Sequence, residues 1–339
     1  MKAAVYMGRH KLAVTQVKDV FPEDDQVKVK VQYCGVCGTD HHIYEGEDGA
    51  MAVVPPLIPG HEFSGIVSQV GKNVKSIRVG DRVAVDPNDM CGKCYFCRDG
   101  QAHFCTSPVG YGTTASGGFA EHVVVPEKQV YKIPDNLSFE AAALTETVSC
   151  CLHGMDLCNI RPGQTVLIIG AGPIGLLMVQ LAKMSGAGKI IVSEIMAEKR
   201  ELALKFGSNL VIDPTTEDME AVLRENTANI DCVIECAGTV KTIEQAVKCA
   251  GRGAVVMMFG LVPAEAIASI RPYEVFQKEL KLTASFINPY TFNRAIEVLS
   301  LGKVRTDGIV TDILPLNDIN RVFEDPSYRR RGKVLIRID

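Results

Sequence analysis

Residues 168–186 read "IIGAGPIGLLMVQLAKMSG" and give the clearest indication of the fold. Three glycines in this stretch form a G-x-G-x-x-G pattern between an apolar strand-like run and an apolar helix-like run. Glycines at this spacing permit a tight turn and let backbone N–H groups approach a pyrophosphate at the helix N-terminus. The pattern therefore predicts a dinucleotide-binding loop made of Gly170, Gly172, Pro173, Ile174 and Gly175.

An acidic residue follows this loop at the spacing of the ribose-binding acid in dinucleotide-binding domains. The next apolar run, "KIIVSE", ends in Glu194, nineteen residues after Gly175. An acid there can accept hydrogen bonds from an adenosine ribose, and it repels a 2'-phosphate. NAD is therefore favoured over NADP, although Lys199 and Arg200 lie close behind and oppose that preference. The alternative interpretation of Glu194 is a solvated carboxylate at a strand end.

Apolar runs alternate with helical patterns from about residue 163 onward. The runs are "TVLIIG", "KIIVSE", "NLVID", "IDCVIEC", "GAVVMMFG" and "LKLTASF". Six such runs separated by helices predict an α/β domain with a six-stranded, doubly wound parallel sheet. The N-terminal part carries short alternating segments typical of a β-rich domain. The predicted division is 1–147, 148–288, and a C-terminal segment, 289–339, that returns to the first domain.

Length and charge restrict the class of protein. A chain of 339 residues is long enough for two domains. A net charge of -4 and a pI near 6.0 give no electrostatic footprint for nucleic acid, and no apolar run reaches membrane-spanning length. The first residues lack the features of a signal peptide. These observations predict a cytoplasmic protein whose partner is a small molecule, with neither nucleic acid nor membrane involved.

Four cysteines are concentrated in one short polar segment, "CGKCYFCRDGQAHFC", at residues 91–105. Four thiolates at this spacing suit a closed tetrahedral zinc site. Four separate buried thiols are the alternative, but the intervening residues are too polar to form a core. The segment predicts a structural zinc bound by Cys91, Cys94, Cys97 and Cys105.

A second set of soft ligands lies in two glycine-rich turns, "CGVCGTDHHIYEGE" and "PLIPGHEFSGIV". Cys37 and His61 are each next to a glycine, which permits the close approach that a catalytic metal requires. All seven histidines precede residue 154, so any histidine-based proton transfer must use the first half of the chain. These turns predict a catalytic metal centre there.

Taken together, the motifs "GHEFSGIV", "GDRV", the four-cysteine segment, "GAGPIG" and the "GKV" near the C-terminus resemble the zinc-dependent medium-chain dehydrogenases. The resemblance is closest to the sorbitol (polyol) dehydrogenase and threonine dehydrogenase branch. It implies a GroES-like catalytic domain and a Rossmann domain. It also implies that Cys37 and His61 bind the catalytic zinc, with Glu62 either a direct ligand or a carboxylate just behind it.

The same resemblance assigns further roles. Thr39 and His42 match the family's proton relay. Cofactor contacts are expected from Lys199 and from two segments at later strand ends, namely Phe259, Gly260 and Leu261, and Ser285, Phe286 and Ile287. Zinc with an open position lowers the pKa of an alcohol, so the alcohol can lose hydride to nicotinamide near neutral pH.

The stretch "LTETVSCCLHG", residues 144–154, contains four further potential ligands. Helical spacing lets Glu146 and Cys150 share one face, so spacing leaves both open as the next zinc ligand. The polyol branch has the form A-L-x-E-P-x-S here, which places Glu146 at the zinc directly or through water. Cys150, Cys151 and His153 are then packing residues.

The resemblance implies reversible oxidation of a secondary alcohol by NAD in a homo-oligomer, a tetramer or a dimer, with two zincs per chain. Thr147 replaces the branch's proline, and Ile287 and Asn288 stand where sorbitol dehydrogenases usually place Arg and Tyr. The expected substrate is thus a polyol or sugar alcohol, phosphorylated or not. A threonine 3-dehydrogenase-like or butanediol-type enzyme is the alternative. A zinc-free quinone reductase and a zinc-ribbon nucleic-acid-binding protein fit the ligands and the charge less well.

Overall fold

The computed structural model describes residues 1–47 and 52–338. The chain divides into two compact units, one made of Met1–Ser149 together with Asn288–Asp339, and the other of Cys150–Ile287. The chain thus passes from one unit to the other between residues 149 and 150 and returns between residues 287 and 288. None of the described helices is both long and apolar enough to cross a membrane.

The first 149 residues are rich in short strands. The strands are β1 (Lys2–Gly8), β2 (Lys11–Gln16), β3 (Gln26–Val36), β4 (Glu62–Val70), β5 (Arg82–Val85), β6 (Asn88–Asp89), β7 (Val109–Gly110), β8 (His122–Pro126) and β9 (Val130–Lys132). The helices are α1 (Gly38–Tyr44), α2 (Tyr95–Arg98), α3 (Phe139–Ala143) and α4 (Thr145–Cys158), the last of which continues into the second unit.

The second unit alternates strands and helices. Its strands are β10 (Thr165–Ile169), β11 (Lys189–Ser193), β12 (Leu210–Ile212), β13 (Cys232–Glu235), β14 (Val255–Met258) and β15 (Lys281–Ala284). Its further helices are α5 (Pro173–Met184), α6 (Ala197–Phe206), α7 (Met219–Asn226), α8 (Val240–Cys249) and α9 (Pro272–Lys278).

The C-terminal segment belongs to the first unit. Its elements are α10 (Phe292–Ser300), β16 (Val310–Pro315), α11 (Ile319–Glu324), α12 (Pro326–Arg331) and β17 (Lys333–Arg337). Strand β17 pairs antiparallel with β3, and Val334 lies opposite Val36. On its other side β3 pairs with β4, where Gly35 lies opposite Glu62. This register brings the end of β3, the start of β4 and the start of β17 together.

In the described residues the main sheet of the first unit has the order β16-β17-β3-β4-β5-β9, with β8 also paired to β3. Its core includes Val31, Phe63, Phe119 and Ile336, all essentially inaccessible to solvent. The alternating pattern of these strands follows from one buried face. The β-rich domain expected from the sequence is confirmed.

The described part of the second unit forms a six-stranded sheet in which every pairing is parallel, with the order β12-β11-β10-β13-β14-β15. Numbered within the unit, this is the 3-2-1-4-5-6 order of a doubly wound fold. Strands covered on both faces are apolar throughout, and Val166–Ile169 is buried at every position. The sequence prediction of this sheet is confirmed. Its strands place all their following loops at one edge, the carboxyl edge.

Candidate metal centres and dinucleotide site

The four cysteines of the polar segment come together around α2. Their Sγ atoms all lie within 4.8 Å of one another, and Cys91 Sγ is 3.9 Å from Cys97 Sγ. A tetrahedral zinc with four thiolates at about 2.3 Å requires Sγ–Sγ separations of about 3.8 Å. The spacing of these sulfur atoms therefore fits a closed zinc site.

Backbone N–H groups of the segment are directed at the sulfur atoms of Cys94 and Cys105. The N–H groups of Cys91 and Ser107 donate to Cys105 Sγ at 3.3 and 3.4 Å. The N–H groups of Cys97 and Thr106 lower the pKa of Cys94 to about 6. Thiolate is the form that binds metal, so this lobe is built to hold a cation.

A second group of potential ligands lies where β3 ends and β4 begins. Ligand atoms of Cys37, His61 and Glu62 all lie within 4.8 Å of one another. Cys37 is the N-cap of α1, and His61 and Glu62 follow Gly60. Gly60 has a φ of +90°, and a Cβ added there would lie 2.8 Å from Cys34 Sγ. The glycine predicted from the sequence to permit close approach is thus required by both conformation and space.

Asp40 forms hydrogen bonds with the turns that carry Cys37 and His61. It was not identified from the sequence. It is buried, and its carboxylate accepts from the N–H of Cys37 at 2.8 Å and from the N–H of Gly60 at 3.3 Å. Its Oδ1 lies 3.8 Å from His61 Nδ1, which has no hydrogen-bond partner among the described residues. Asp40 thus fixes both turns that carry the cysteine and the histidine. The signal that could have found it is an acid three residues after the helix N-cap, where a capping box forms.

Glu62 is held by a buried lysine from the C-terminal strand. Lys333 Nζ lies 2.7 Å from both Glu62 Oε1 and Glu62 Oε2, and the Thr147 hydroxyl donates to Oε1 at 2.8 Å. Burial opposes ionisation of Glu62, but Lys333 outweighs it and lowers the pKa of the carboxyl. In the sequence, Lys333 was noted only as part of the "GKV" motif. Thr147 was noted only because the polyol branch has proline at this position. The threonine hydroxyl makes a contact that proline cannot make.

Glu146 lies in the first turn of α4 and is 8% exposed. In the described residues, 1–47 and 52–338, Glu146 is not part of the group of Cys37, His61 and Glu62, whose ligand atoms lie within 4.8 Å of one another. It is nevertheless near that group, because its charge contributes to raising the pKa of both His61 and Lys333. By contrast, Cys150, Cys151 and His153 belong to the other unit.

The electrostatics of the second group call for a cation. Burial lowers the pKa of His61, but the carboxylate of Asp40, the Cys37 side chain and the charge of Glu146 outweigh it and raise that pKa well above its ordinary value. Among the described residues, the side chains of Cys37 and Glu146 raise the pKa of both His61 and Lys333, as do Asp40 for His61 and Glu62 for Lys333. A soft divalent cation such as zinc suits a donor set of thiolate, imidazole and carboxylate.

The two residues of the expected proton relay lie on α1. Thr39 is partly exposed, and His42 Nδ1 lies 2.6 Å from Glu47 Oε2. The neighbouring His41 packs edge-on against Phe323, with 5.1 Å between ring centroids. Burial lowers the pKa of His41 to about 4, which favours its neutral form. His41 and His42 therefore occupy different environments on one helix.

Asn288 lies in a buried polar network rather than on an exposed surface. It is 2% exposed, and its Nδ2 donates to Ser149 Oγ at 2.9 Å and to Asp86 Oδ1 at 3.2 Å. Its Oδ1 accepts from Asn88 Nδ2 at 2.7 Å. The Ser149 hydroxyl in turn donates to the backbone carbonyl of Glu146 at 2.6 Å. This network ties together the two chain segments that leave the first unit, and supports the turn that carries Glu146.

The glycine-rich loop of the second unit has the shape expected of a phosphate cradle. A Cβ on Gly175 would lie 1.9 Å from the carbonyl oxygen of Gly170, so the helix can pack here only with glycine. A Cβ on Gly172 would meet nothing within 4 Å. Gly172 is the N-cap of α5, followed by Pro173 at the first helical position. Backbone N–H groups and open space at a helix N-terminus fit a pyrophosphate.

Most of the other predicted cofactor residues lie at the same carboxyl edge. Phe259, Gly260 and Leu261 follow β14, and Ser285, Phe286 and Ile287 follow β15. Glu235, which ends β13, was not identified from the sequence. It is fully buried, and its Oε1 accepts from the N–H groups of Ala237 and Gly238 at 2.8 Å each. Glu235 thus shapes the loop beside the glycine-rich loop.

Glu194 follows β11 at this edge and is 8% exposed. Its Oε2 accepts from the N–H of Ala171 at 2.7 Å and its Oε1 from the N–H of Met196 at 2.8 Å. Lys199 is partly exposed on α6. Glu194 is therefore bonded to the glycine-rich loop itself, which a simple solvated strand-end carboxylate would not be.

Comparisons with known proteins show the family to which the chain belongs. The chain matches the alcohol dehydrogenase GroES-like domain over residues 23–135 and the zinc-binding dehydrogenase model over residues 173–301. D-arabinitol dehydrogenase 1 of Uromyces fabae is 34% identical to it over 342 residues, which cover 99% of this chain and 97% of the relative. The chain belongs to the zinc-binding dehydrogenases of the alcohol dehydrogenase type, and it is an oxidoreductase.

Two further relatives define its place in that family. L-threonine 3-dehydrogenase of Pyrococcus abyssi is 37% identical over 327 residues, which cover 93% of this chain and 91% of the relative. A zinc-binding dehydrogenase of Sinorhizobium meliloti 1021, solved in complex with NADP, is 37% identical and superposes with a TM-score of 0.95, with 99% of this chain and 98% of that chain covered. The family resemblance inferred from the motifs is thus confirmed.

Proposed function

We propose that this protein reversibly oxidises a secondary alcohol, a polyol or sugar alcohol with or without a phosphate group, to the ketone, with NAD as the hydride acceptor. The observation that carries the proposal is the group formed by Cys37, His61 and Glu62 in a chain that also has a complete dinucleotide loop. The relatives named for D-arabinitol and L-threonine act on compounds that carry a secondary hydroxyl.

Cys37, His61 and Glu146 are the proposed direct ligands of the catalytic zinc. Glu62 then acts just behind them, because Lys333 already contacts both of its oxygens. Zinc held by these residues would act as a Lewis acid that lowers the pKa of the alcohol, and bound NAD would serve as the hydride acceptor. Asp40 orients the histidine and the turn of the cysteine.

Thr39 and His42 are the proposed proton relay. The hydroxyl of Thr39 takes the proton from the substrate, and the imidazole of His42 passes it to solvent. Glu47 accepts the Nδ1 proton of His42, which leaves Nε2 as the basic nitrogen of the neutral ring.

The second zinc is proposed to be structural and bound by Cys91, Cys94, Cys97 and Cys105. Glu194 is proposed to select NAD, because its carboxylate lies where an adenosine ribose binds in this fold. The units formed by residues 1–149 with 288–339 and by residues 150–287 are the proposed catalytic and cofactor domains. Zinc-bound thiolates persist in a reducing compartment, which supports a cytoplasmic location.

The protein is also proposed to form a homo-oligomer, a dimer or a tetramer. Strand β15 lies at the edge of the six-stranded sheet. Nearby in sequence are exposed apolar side chains, with Ile267 83% exposed and Phe276 79% exposed. Exposed apolar surface beside an unpaired strand edge favours association. Light scattering on the purified protein measures the mass, and a monomer at all concentrations would contradict this assignment.

The function is tested with the purified protein and a panel of alcohols, following the absorbance of NADH. The panel contains D-arabinitol, D-sorbitol, a sugar-alcohol phosphate, 2,3-butanediol, L-threonine and ethanol, and His61→Ala serves as the inactive control. We expect at least one polyol to be oxidised faster than L-threonine and ethanol. Turnover of L-threonine or butanediol alone would support the corresponding alternative, and absence of both turnover and NADH binding would contradict the proposal.

A further inference from the structure

Arg200, on α6, is immobilised beside the acid that ends β11. Its Nη1 donates to the backbone carbonyls of Glu194 and Ile195 at 2.7 and 2.8 Å. Its Nη2 lies 3.0 Å from Asp213 Oδ2, and both side chains of this ion pair are 19% exposed. Three acceptors therefore hold the guanidinium against the strand ends, and a carboxylate compensates its charge.

Asp213 is itself held firmly. It follows β12, the strand next to β11, and its Oδ1 accepts from the N–H of Thr215 at 3.0 Å and from the Thr215 hydroxyl at 2.6 Å. The hydrogen bonds of Thr215, followed by the charge of Arg200, lower the pKa of Asp213. Asp213 is therefore an anion at neutral pH with a defined orientation toward Arg200.

At the end of β11, one group suited to NAD, Glu194, thus lies beside one suited to NADP, Arg200. A carboxylate at the end of the second strand suits the ribose hydroxyls of NAD, whereas an arginine nearby accommodates the 2'-phosphate of NADP. Glu194 is bonded to the N–H groups of Ala171 and Met196 rather than to the guanidinium of Arg200. The carboxylate that compensates Arg200 is that of Asp213, on the adjacent strand end.

We propose that Asp213 is a positioning residue that sets the choice between NAD and NADP by holding Arg200 away from the cofactor and compensating its charge. The inference rests on the proposed function, namely that the chain uses a nicotinamide dinucleotide. With Asp213 ionised, a 2'-phosphate faces two carboxylates, and Arg200 is committed to other acceptors. Without that charge, Nη1 keeps its two backbone carbonyl acceptors, but Nη2 loses its carboxylate partner and is available to bind the phosphate.

The test compares the affinities of NADPH and NADH, measured by the fluorescence of the reduced nicotinamide. Asp213→Asn removes the charge and keeps the shape. Asp218→Asn is the matched control, because Asp218 is an exposed N-cap on the following segment and asparagine caps a helix equally well. We expect Asp213→Asn to raise affinity for NADPH relative to NADH about tenfold, since one charge near a phosphate is worth about that much. The control should stay within about twofold.

A double variant distinguishes positioning from a general effect of charge. In Asp213→Asn/Arg200→Gln the preference should return to within about twofold of the wild type, because the gain requires Arg200. The gain in the single variant should also shrink with added salt, since the phosphate contact is screened. Thermal melting checks folding, and Asp213→Ser supplies the same test should the asparagine variant be unstable.

Three results would overturn the inference. An unchanged NADPH-to-NADH ratio in folded Asp213→Asn, or a gain that persists in the double variant, shows that Asp213 does not act through Arg200 while leaving the proposed function intact. Failure of the wild type to bind either reduced cofactor overturns the proposed function as well. The first two results are therefore distinguishable from the third.

Discussion

Among single residues, Glu62 and Lys333 form a buried ion pair beside Cys37 and His61. Both side chains are buried, and the two charges compensate each other. A buried ion pair adds little stability relative to apolar residues, but removal of one partner leaves an uncompensated charge. Glu62 is therefore an anion whose position depends on a residue at the opposite end of the chain.

Replacement of that lysine should expose this dependence. Lys333→Met keeps the aliphatic volume and should lower the free energy of unfolding by about 3–5 kcal/mol, because Glu62 remains buried without its partner. The matched control is Lys303→Met, at an exposed position of the same C-terminal segment. This control should change the free energy of unfolding by no more than about 0.5 kcal/mol. Urea unfolding measures both.

The double variant Glu62→Gln/Lys333→Met should recover most of the loss, since neither charge remains. A single variant as stable as the wild type would show that Glu62 is compensated by another group.

Substitution of Glu146 tests the proposed catalytic ligands. Glu146→Ala should lower turnover by about tenfold to a hundredfold or more, with the fold and the structural zinc retained. Cys150→Ala should retain turnover and both zincs, because Cys150 is proposed to be a packing residue and is not part of the described group of Cys37, His61 and Glu62. Zinc per chain and turnover are measured for both variants. Loss of one zinc in Cys150→Ala, together with full activity in Glu146→Ala, would show that the site uses a cysteine as its third ligand.

At the scale of elements, helix α4 serves both units. Its first turn carries Glu146, Thr147 and Ser149, whose hydrogen bonds lie in the first unit, and its remainder begins the second. Ser149 also accepts from Asn288 at the point where the chain returns. The segment that looked like one cluster of ligands in the sequence is therefore divided by the boundary between two units.

Two glycines of the turn between β10 and α5, Gly172 and Gly175, should respond differently to replacement by alanine. Gly175→Ala should destabilise the protein by about 1–3 kcal/mol or more, because the added methyl collides with a backbone carbonyl. Gly172→Ala should leave stability within about 0.5 kcal/mol, since the position is open and its φ of -65° suits alanine.

Gly172→Ala should nevertheless weaken NADH binding, because the methyl occupies the space needed for close approach of a pyrophosphate. Fluorescence titration and thermal melting measure the two effects separately. Unchanged NADH affinity in a folded Gly172→Ala variant would contradict the assignment of this loop.

At the scale of the whole molecule, the two metal centres should respond differently to chelation. The four-cysteine site is closed by its own ligands, whereas a catalytic site keeps an open position. We expect the wild type to contain about two zincs per chain. A chelator should remove the catalytic zinc and the activity first, and the structural zinc later together with loss of stability.

Zinc content, activity and melting temperature followed in one time course measure this order. Added zinc should restore activity to protein that has lost only the first ion. Full activity with a single zinc per chain, or unfolding that precedes loss of activity, would contradict the assignment of the two centres.

Features that depend on local spacing could be predicted from the sequence. The four-cysteine segment, the glycine-rich turn and the six apolar runs all rest on contacts between residues close in the chain. Their backbone geometry follows from residue type, because glycine alone permits the turns and apolar runs must be buried between layers. The six-stranded parallel sheet was predicted from the same regular alternation of strands and helices.

The distant residues that surround Cys37, His61 and Glu62 could be identified only from the three-dimensional structure. Lys333 contacts Glu62 across 271 positions, Asn288 contacts Asp86 across 202, and Thr147 contacts Glu62 across 85. No periodicity relates such residues, because they meet only after the C-terminal strand has paired with β3 and the sheet has set the register. The pairing of Arg200 with Asp213 likewise depends on β11 and β12 being neighbours. Buried charges must find partners, and the fold determines which partners are within reach.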